Sequence, residues 1–131
     1  MIRKSNQVKN STLVGRWGEE LVLRYLLDKG YSAVRKNYHI RGGEIDLIME
    51  KNGILVFVEV KTRRSRAFGS GEEALTRRKR QKLLRAILFY LGQHHHGKPR
   101  PKSWRLDLVE IHFDRYQHRA YLKHFQDILA V

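Results

Sequence analysis

Residues 44–61 read EIDLIMEKNGILVFVEVK, two runs of aliphatic and β-branched residues on either side of Asn52-Gly53. That dipeptide favours a two-residue type I′ turn, because both central positions need positive φ, and it makes the segment a β-hairpin. With Asn52 and Gly53 at the turn, Lys51 faces Ile54 and the remaining partners follow. One face pairs Met49 with Val56, Leu47 with Val58 and Ile45 with Val60, and is wholly apolar. The other pairs Glu50 with Leu55, Ile48 with Phe57, Asp46 with Glu59 and Glu44 with Lys61, so it passes from apolar to charged along the strands.

The charged end carries the chemistry. Directly opposed, Asp46 and Glu59 would have Cβ atoms roughly 4.5–5.5 Å apart and would repel each other. A divalent cation relieves that repulsion, and Mg²⁺ (or Mn²⁺) suits carboxylate oxygens while keeping several waters. Lys61, two residues after Glu59, projects from the same face. Beside a bound metal its ammonium could orient an attacking water or offset charge at a phosphoryl transition state. The plainer alternative is a solvated hairpin end, with Glu44 and Lys61 as an ordinary cross-strand pair.

Upstream, residues 1–10 read as a flexible basic arm, and residues 11–131 as a single domain. A helix is expected from Ser11 or Thr12, either of which can cap it, to Gly30. Its apolar stripe is Val14, Trp17, Leu21, Val22, Tyr25 and Leu26. Glu20 has Arg24 four residues on, an exposed helical ion pair. Glu19 instead extends the apolar stripe beside Gly15 and Gly18, where another backbone could approach. A buried carboxylate there needs a partner, either a metal or a neighbouring backbone amide. Tyr31 to Ile40 is expected to hold a first strand.

Downstream, residues 62–71 form a basic loop, and a second helix is expected from Thr76 to Gln93 with Leu84, Ile87, Leu88 and Leu91 inward. From Lys61 to Lys82 there are nine basic and two acidic residues. Arg77, Arg78, Lys79, Arg80 and Lys82 crowd the helix start, where the macrodipole prefers negative charge and phosphate binds well. With Arg63 and Arg64 they form the expected nucleic-acid contact, unless they are only a solvated face. Trp104–Phe113 and Ala120–Phe125 read as two more strands. Trp104, Tyr38 and Tyr116 could stack on bases, although core packing suits Trp104 better. His94, His95 and His96 lack the spacing of a helical zinc pair and read as a solvated helix end.

Composition sets the class. The 131 residues carry a formal charge of +14 with 41% hydrophobic residues, which suits a folded domain that meets a polyanion. Cysteine is absent, excluding disulfides, thiolate metal sites and cysteine catalysis. The start lacks the apolar stretch of a secretory signal, and the longest apolar run, Ile54–Val58, is far too short to span a membrane. A cytoplasmic protein with nucleic acid as partner and no membrane attachment is expected. Neither a Walker-type phosphate loop nor a nucleophilic serine motif occurs.

Taken together, Gly18-Glu19, Gly43-Glu44-Ile45-Asp46-Leu47-Ile48 and Phe57-Val58-Glu59-Val60-Lys61-Thr62-Arg63 resemble the YraN family of small bacterial proteins. The likeness continues through Lys79 and Arg105-Leu106-Asp107, covering most of residues 11–112. The same pattern is similar to the wider PD-(D/E)xK nuclease superfamily, archaeal Holliday junction resolvases included. The resemblance implies a restriction-endonuclease-like α/β fold, a central mixed β-sheet flanked by helices. It implies Asp46 and Glu59 as ligands of Mg²⁺ or Mn²⁺, Glu19 as a further ligand, and Lys61 as the fourth catalytic residue. The expected function is a Mg²⁺-dependent endonuclease on DNA, selective for branched or nicked substrates. The alternative is a non-catalytic nucleic-acid-binding module or an RNA-associated assembly factor, and a resolvase-like homodimer is a third reading.

Overall fold

Asn52 and Gly53 both take positive φ, 54° and 78°, and the hairpin closes on them. β2 (Gly43–Lys51) runs antiparallel to β3 (Ile54–Arg63), with Lys51 facing Ile54, Glu50 facing Leu55, Met49 facing Val56, Ile48 facing Phe57 and Leu47 facing Val58. The computed structural model describes residues 2–63, 75–93, 103–114 and 119–129. Around the hairpin, β1 (Ser32–Ile40) pairs antiparallel with β2, β4 (Ser103–Asp114) parallel with β3, and β5 (Arg119–Phe125) antiparallel with β4. The five strands lie in chain order across one mixed sheet. α1 (Ile2–Asp28) covers one face and α2 (Arg77–Gly92) the other. This is the expected α/β architecture, consistent with a restriction-endonuclease-like fold.

The period-two alternation of β3 divides the core. Val56 and Val58 pack with Leu47, Met49, Val109 and Ile111 against Val22, Leu23 and Leu26 of α1. Leu55 and Phe57 turn the other way and pack with Ile48, Leu106 and Leu108 against Leu83, Ala86 and Ile87 of α2. Trp104 is partly buried and packs against this core, edge-on to Phe57 with centroids 5.9 Å apart. Tyr38 is 2% exposed and edge-on to Tyr90, which removes it as a base-stacking surface.

Three expectations need correction. α1 begins at Ile2, so the stretch read as an arm continues the helix along the backbone. Residues 2–10 contain neither Gly nor Pro, and a capping hydroxyl does not prevent a helix from running through it. Ile45 does not join Leu47 and Met49 on the α1 face but packs towards α2. In α2 the inward residues are Leu83, Ala86 and Ile87, whereas Leu88 is 61% exposed. The small residues decide that rotation. A Cβ on Gly43 would lie 2.6 Å from the Lys82 carbonyl oxygen and 3.1 Å from Ala86 Cβ, so β2 and α2 touch where both are smallest. Thr76 caps α2 as expected, accepting from the Lys79 N–H at 3.2 Å, and Gln93 ends it. Arg64, most of the basic loop, His94, His95, His96 and Tyr116 lie outside the described residues.

Candidate functional site

The site forms where the hairpin stops being regular. Asn37 of β1 lies between the Lys36–Leu47 and Tyr38–Ile45 pairs, opposite Asp46, and takes φ 49°. Asn accepts this left-handed conformation more readily than most side chains. The alternation breaks there, which sends Ile45 to the α2 face. The β2–β3 ladder accordingly ends at Leu47–Val58, and Asp46 is not the ladder partner of Glu59. Instead Asp46 Oδ2 accepts a 2.8 Å hydrogen bond from the Val60 N–H, so the side chain replaces the backbone carbonyl at the bend.

Asp46 and Glu59 are nonetheless brought together, and their proton affinities show it. Glu59 is 4% exposed. Burial, then the Asp46 carboxylate, push its carboxyl up to about 7 against the pull of Lys79. Asp46 is raised by burial and by Glu44, while the Val60 N–H, Lys79 and a hydrogen bond with Glu59 hold it back. Glu19 is raised by burial and then by Asp46, and a hydrogen bond from Asn37 opposes the rise. Gly18 seats that part of α1, because a Cβ there would collide with Thr62 Oγ1 on β3. Glu44, read from the sequence as a partner for Lys61, instead adds its field to all three acids and lies 3.3 Å from His39 Nδ1. Its spacing of two from Asp46 was the available signal.

One cation enters this group. Lys79 Nζ lies 2.9 Å from Glu59 Oε1, so of the cations expected to meet nucleic acid this one is paired with an acid of the site. Burial favours the neutral amine, but Glu59 outweighs it and keeps Lys79 protonated. Beside the pair opens a cavity of about 200 Å³ lined by Glu44, Glu59, Thr76, Arg78, Lys79, Lys82 and Leu83. Arg78 and Lys82 are one helical turn apart and present two cations to it. Arg77 and Arg80 are exposed on α2 and do not line the cavity. Lys61 is half-buried and makes no ion pair with a described residue. Its register neighbour is Glu110 on β4, not Glu44 on β2.

Glu110 and His112 were missed in the sequence. Both are buried, with Glu110 Oε2 2.9 Å from His112 Nε2, on the sheet face that carries Glu59. Arg63 Nε lies 4.0 Å from Glu110 Oε1. The alternation Leu106, Leu108, Glu110, His112 was the signal. The Arg105-Leu106-Asp107 segment plays a different part. Asp107 accepts from Arg105 at 3.0 Å and from the Asp127 N–H at 2.9 Å, and meets His124 at 2.8 Å. It fastens β5 and the chain after it to the sheet on the α1 side, where Tyr25 meets His124 and Tyr31 meets Arg105.

Among the described residues, no three acidic or histidine side chains converge as a closed metal cage. Asp46 and Glu59 fit the other mode of a hard divalent ion, one or two carboxylates with the remaining positions taken by water. The donor set is all oxygen, and the raised proton affinities mark carboxyl groups short of positive charge.

Comparison with known proteins gives one consistent result. The model of the uncharacterised protein family UPF0102 matches residues 18–111. A UPF0102 protein of Syntrophomonas wolfei is 55% identical over 78 residues, covering 60% of this chain and 68% of its own. One of Herpetosiphon aurantiacus is 41% identical over 116 residues, covering 88% and 92%. One of Carboxydothermus hydrogenoformans is 34% identical over 122 residues, covering 92% and 98%. Among the described residues no helix is long and apolar enough to cross a membrane.

Proposed function

The chain belongs to the UPF0102 family, whose description assigns no activity, and from the site itself we propose that it is a metal-dependent phosphodiesterase acting on nucleic acid. The observation that carries this reading is Glu59, a buried carboxyl raised to about 7 beside Asp46 and opening onto a cation-lined cavity. Asp46 and Glu59 would hold Mg²⁺ or Mn²⁺, which when bound supplies a Lewis acid and an acidified water. Glu19, hydrogen-bonded by Asn37 and within the field of Asp46, would add negative charge and could accept a hydrogen bond from a metal-bound water. Arg78 and Lys82 receive a phosphate of the backbone without reading sequence. Lys79, paired with Glu59 at 2.9 Å, would be within the same cavity as the phosphate and could offset its charge. Lys61, on the strand of Glu59, offsets charge that develops on the reacting group. In this reading the protein works in the cytoplasm on DNA, favouring branched or nicked forms, and two copies would be needed to cut both strands.

The Lys79–Glu59 contact favours a second reading, in which the acids are already neutralised and the domain only binds nucleic acid, as an RNA-associated assembly factor would. One experiment separates the two. Linear, nicked, flapped and four-way DNA are incubated with Mn²⁺ and either wild type or Asp46→Asn. The phosphodiesterase reading expects cleavage by wild type, at least a hundredfold slower cleavage by the variant, and retained binding. Binding by both proteins with cleavage by neither overturns it.

A further inference from the structure

Beyond Glu59 the same sheet face continues across β4 to the edge strand. Successive rows read Glu59, Leu108 and Phe125; then Lys61, Glu110 and Lys123; then Arg63, His112 and Tyr121. Side chains directly paired across neighbouring strands share a face, so these rows form one surface. Phe125 packs into the α2 core, which confirms the side. The next two rows change character. Glu110 and His112 are buried and joined at 2.9 Å, forming a floor. Around them stand Lys61, Arg63 and Lys123, with Arg119 opposite Asp114 at the end of the ladder. Four cations face two acids, one of them fully buried. Tyr121 is 45% exposed at the outer margin, although tyrosine usually buries most of its ring.

We propose that this surface carries an unpaired nucleic-acid strand leading away from the phosphate in the Glu59 cavity, with Tyr121 as the platform on which one of its bases stacks. The proposal rests on the phosphodiesterase reading for the position of that phosphate, and it adds a substrate feature, a single-stranded stretch on one side. Charge complementarity selects the occupant. The cations border the path, whereas an aromatic ring beside basic groups is the pairing used to hold single strands irrespective of sequence. The path also has a length. From the Glu59 row to the Tyr121 row is four residues along β3 and two strands across. At about 3.3 Å per residue and about 4.8 Å per strand this is roughly 16 Å. Stacked nucleotides advance about 3.4 Å each, so Tyr121 meets roughly the fifth nucleotide from the phosphate.

The test uses the full chain in EDTA, where scission is not read, with fluorescent duplexes that are blunt or carry single-stranded extensions of two, five or eight nucleotides. Binding should strengthen between the two- and five-nucleotide extensions and change little beyond. Tyr121→Ala should weaken binding of the longer extensions about 5- to 100-fold and leave the blunt duplex unchanged, while Tyr121→Phe retains wild-type affinity. In a second measurement that needs no variant, 2-aminopurine at the fourth to sixth unpaired nucleotide should be quenched by wild type more than at the second. Tyr121→Ala binding every duplex with wild-type affinity, or quenching without positional preference, overturns the proposal. Cleavage is scored separately in Mn²⁺. A chain that cleaves but shows no Tyr121 effect sinks only this inference. One that shows the Tyr121 effect and never cleaves sinks only the phosphodiesterase reading.

Discussion

Replacing Glu59 by glutamine should make the protein more stable at alkaline pH, the reverse of what an ordinary ion pair would do. Folding buries this carboxyl and sets it beside Asp46, which lifts it from an ordinary 4.5 to about 7 despite Lys79. The folded chain therefore holds the Glu59 proton more tightly than the unfolded chain does. That contribution to stability is complete below pH 4.5 and is lost as pH rises to about 7. At about 1.36 kcal/mol per pH unit the displacement corresponds to about 3 kcal/mol. Asp46, also raised, titrates in the same sense. Glutamine keeps the shape, an N–H donor towards Asp46 and an oxygen for Lys79, without the charge. Urea unfolding followed by tryptophan fluorescence in EDTA should show Glu59→Gln within about 1 kcal/mol of wild type at pH 5 and about 1–3 kcal/mol more stable at pH 8. Mn²⁺ at pH 8 should raise the wild type towards the variant and leave the variant unmoved. If Glu59→Gln is less stable than wild type by the same amount at both pH values, the Lys79 pair satisfies Glu59 and the reasoning fails.

Gly43→Ala should lower stability by about 1–3 kcal/mol in the same denaturation assay, because the new Cβ meets a backbone carbonyl of α2 that has no rotamer to escape into. Asp107→Ala should lose about 3–5 kcal/mol near neutral pH, since it leaves Arg105 and His124 without their shared acceptor. Burial alone would raise the Asp107 carboxyl, but His124, the Asp127 N–H and Arg105 together hold it below its ordinary 3.8. Its contribution is therefore present above that value and lost as pH falls through the lower folded value, so the gap between Asp107→Ala and wild type should close in strong acid.

What the sequence made legible follows from how local each rule is. Asn52-Gly53 settles the turn and, through it, every pair from Lys51–Ile54 to Leu47–Val58. Thr76 and Gln93 bound α2 because capping is decided within one turn of helix. The bend at Asp46 depends on Asn37, nine residues away on another strand, whose left-handed backbone matters only once β1 is paired. A two-strand reading of the hairpin therefore extended the register three pairs too far, to Glu44–Lys61. The rotation of α2 was hidden for a similar reason, since Leu84 and Leu88 look better buried than Ala86 until Gly43 is known to lie beneath it, while Leu91 packs against the core as expected.

The same distinction explains the site. Acids were found because Asp46 and Glu59 are neighbours through a turn that the sequence specifies. Their counter-charge was misassigned because Lys79 reaches Glu59 only after the chain crosses the sheet, and in one dimension it is one of many cations near a helix start. Of the basic residues between Lys61 and Lys82, Lys79 is paired with Glu59 while Arg78 and Lys82 line the cavity with it. Charge density along the chain therefore predicts that a polyanion approaches this face, and only the packing of α2 against Gly43 determines which cation reaches the carboxylates first. Lys79 is bonded to Glu59, and burial together with the neighbouring acids still leaves the Glu59 and Asp46 carboxyl groups raised, inside a strongly basic protein. In the phosphodiesterase reading proposed above, the basic surface would draw in a phosphate backbone and the raised acids would take a hard cation beside it.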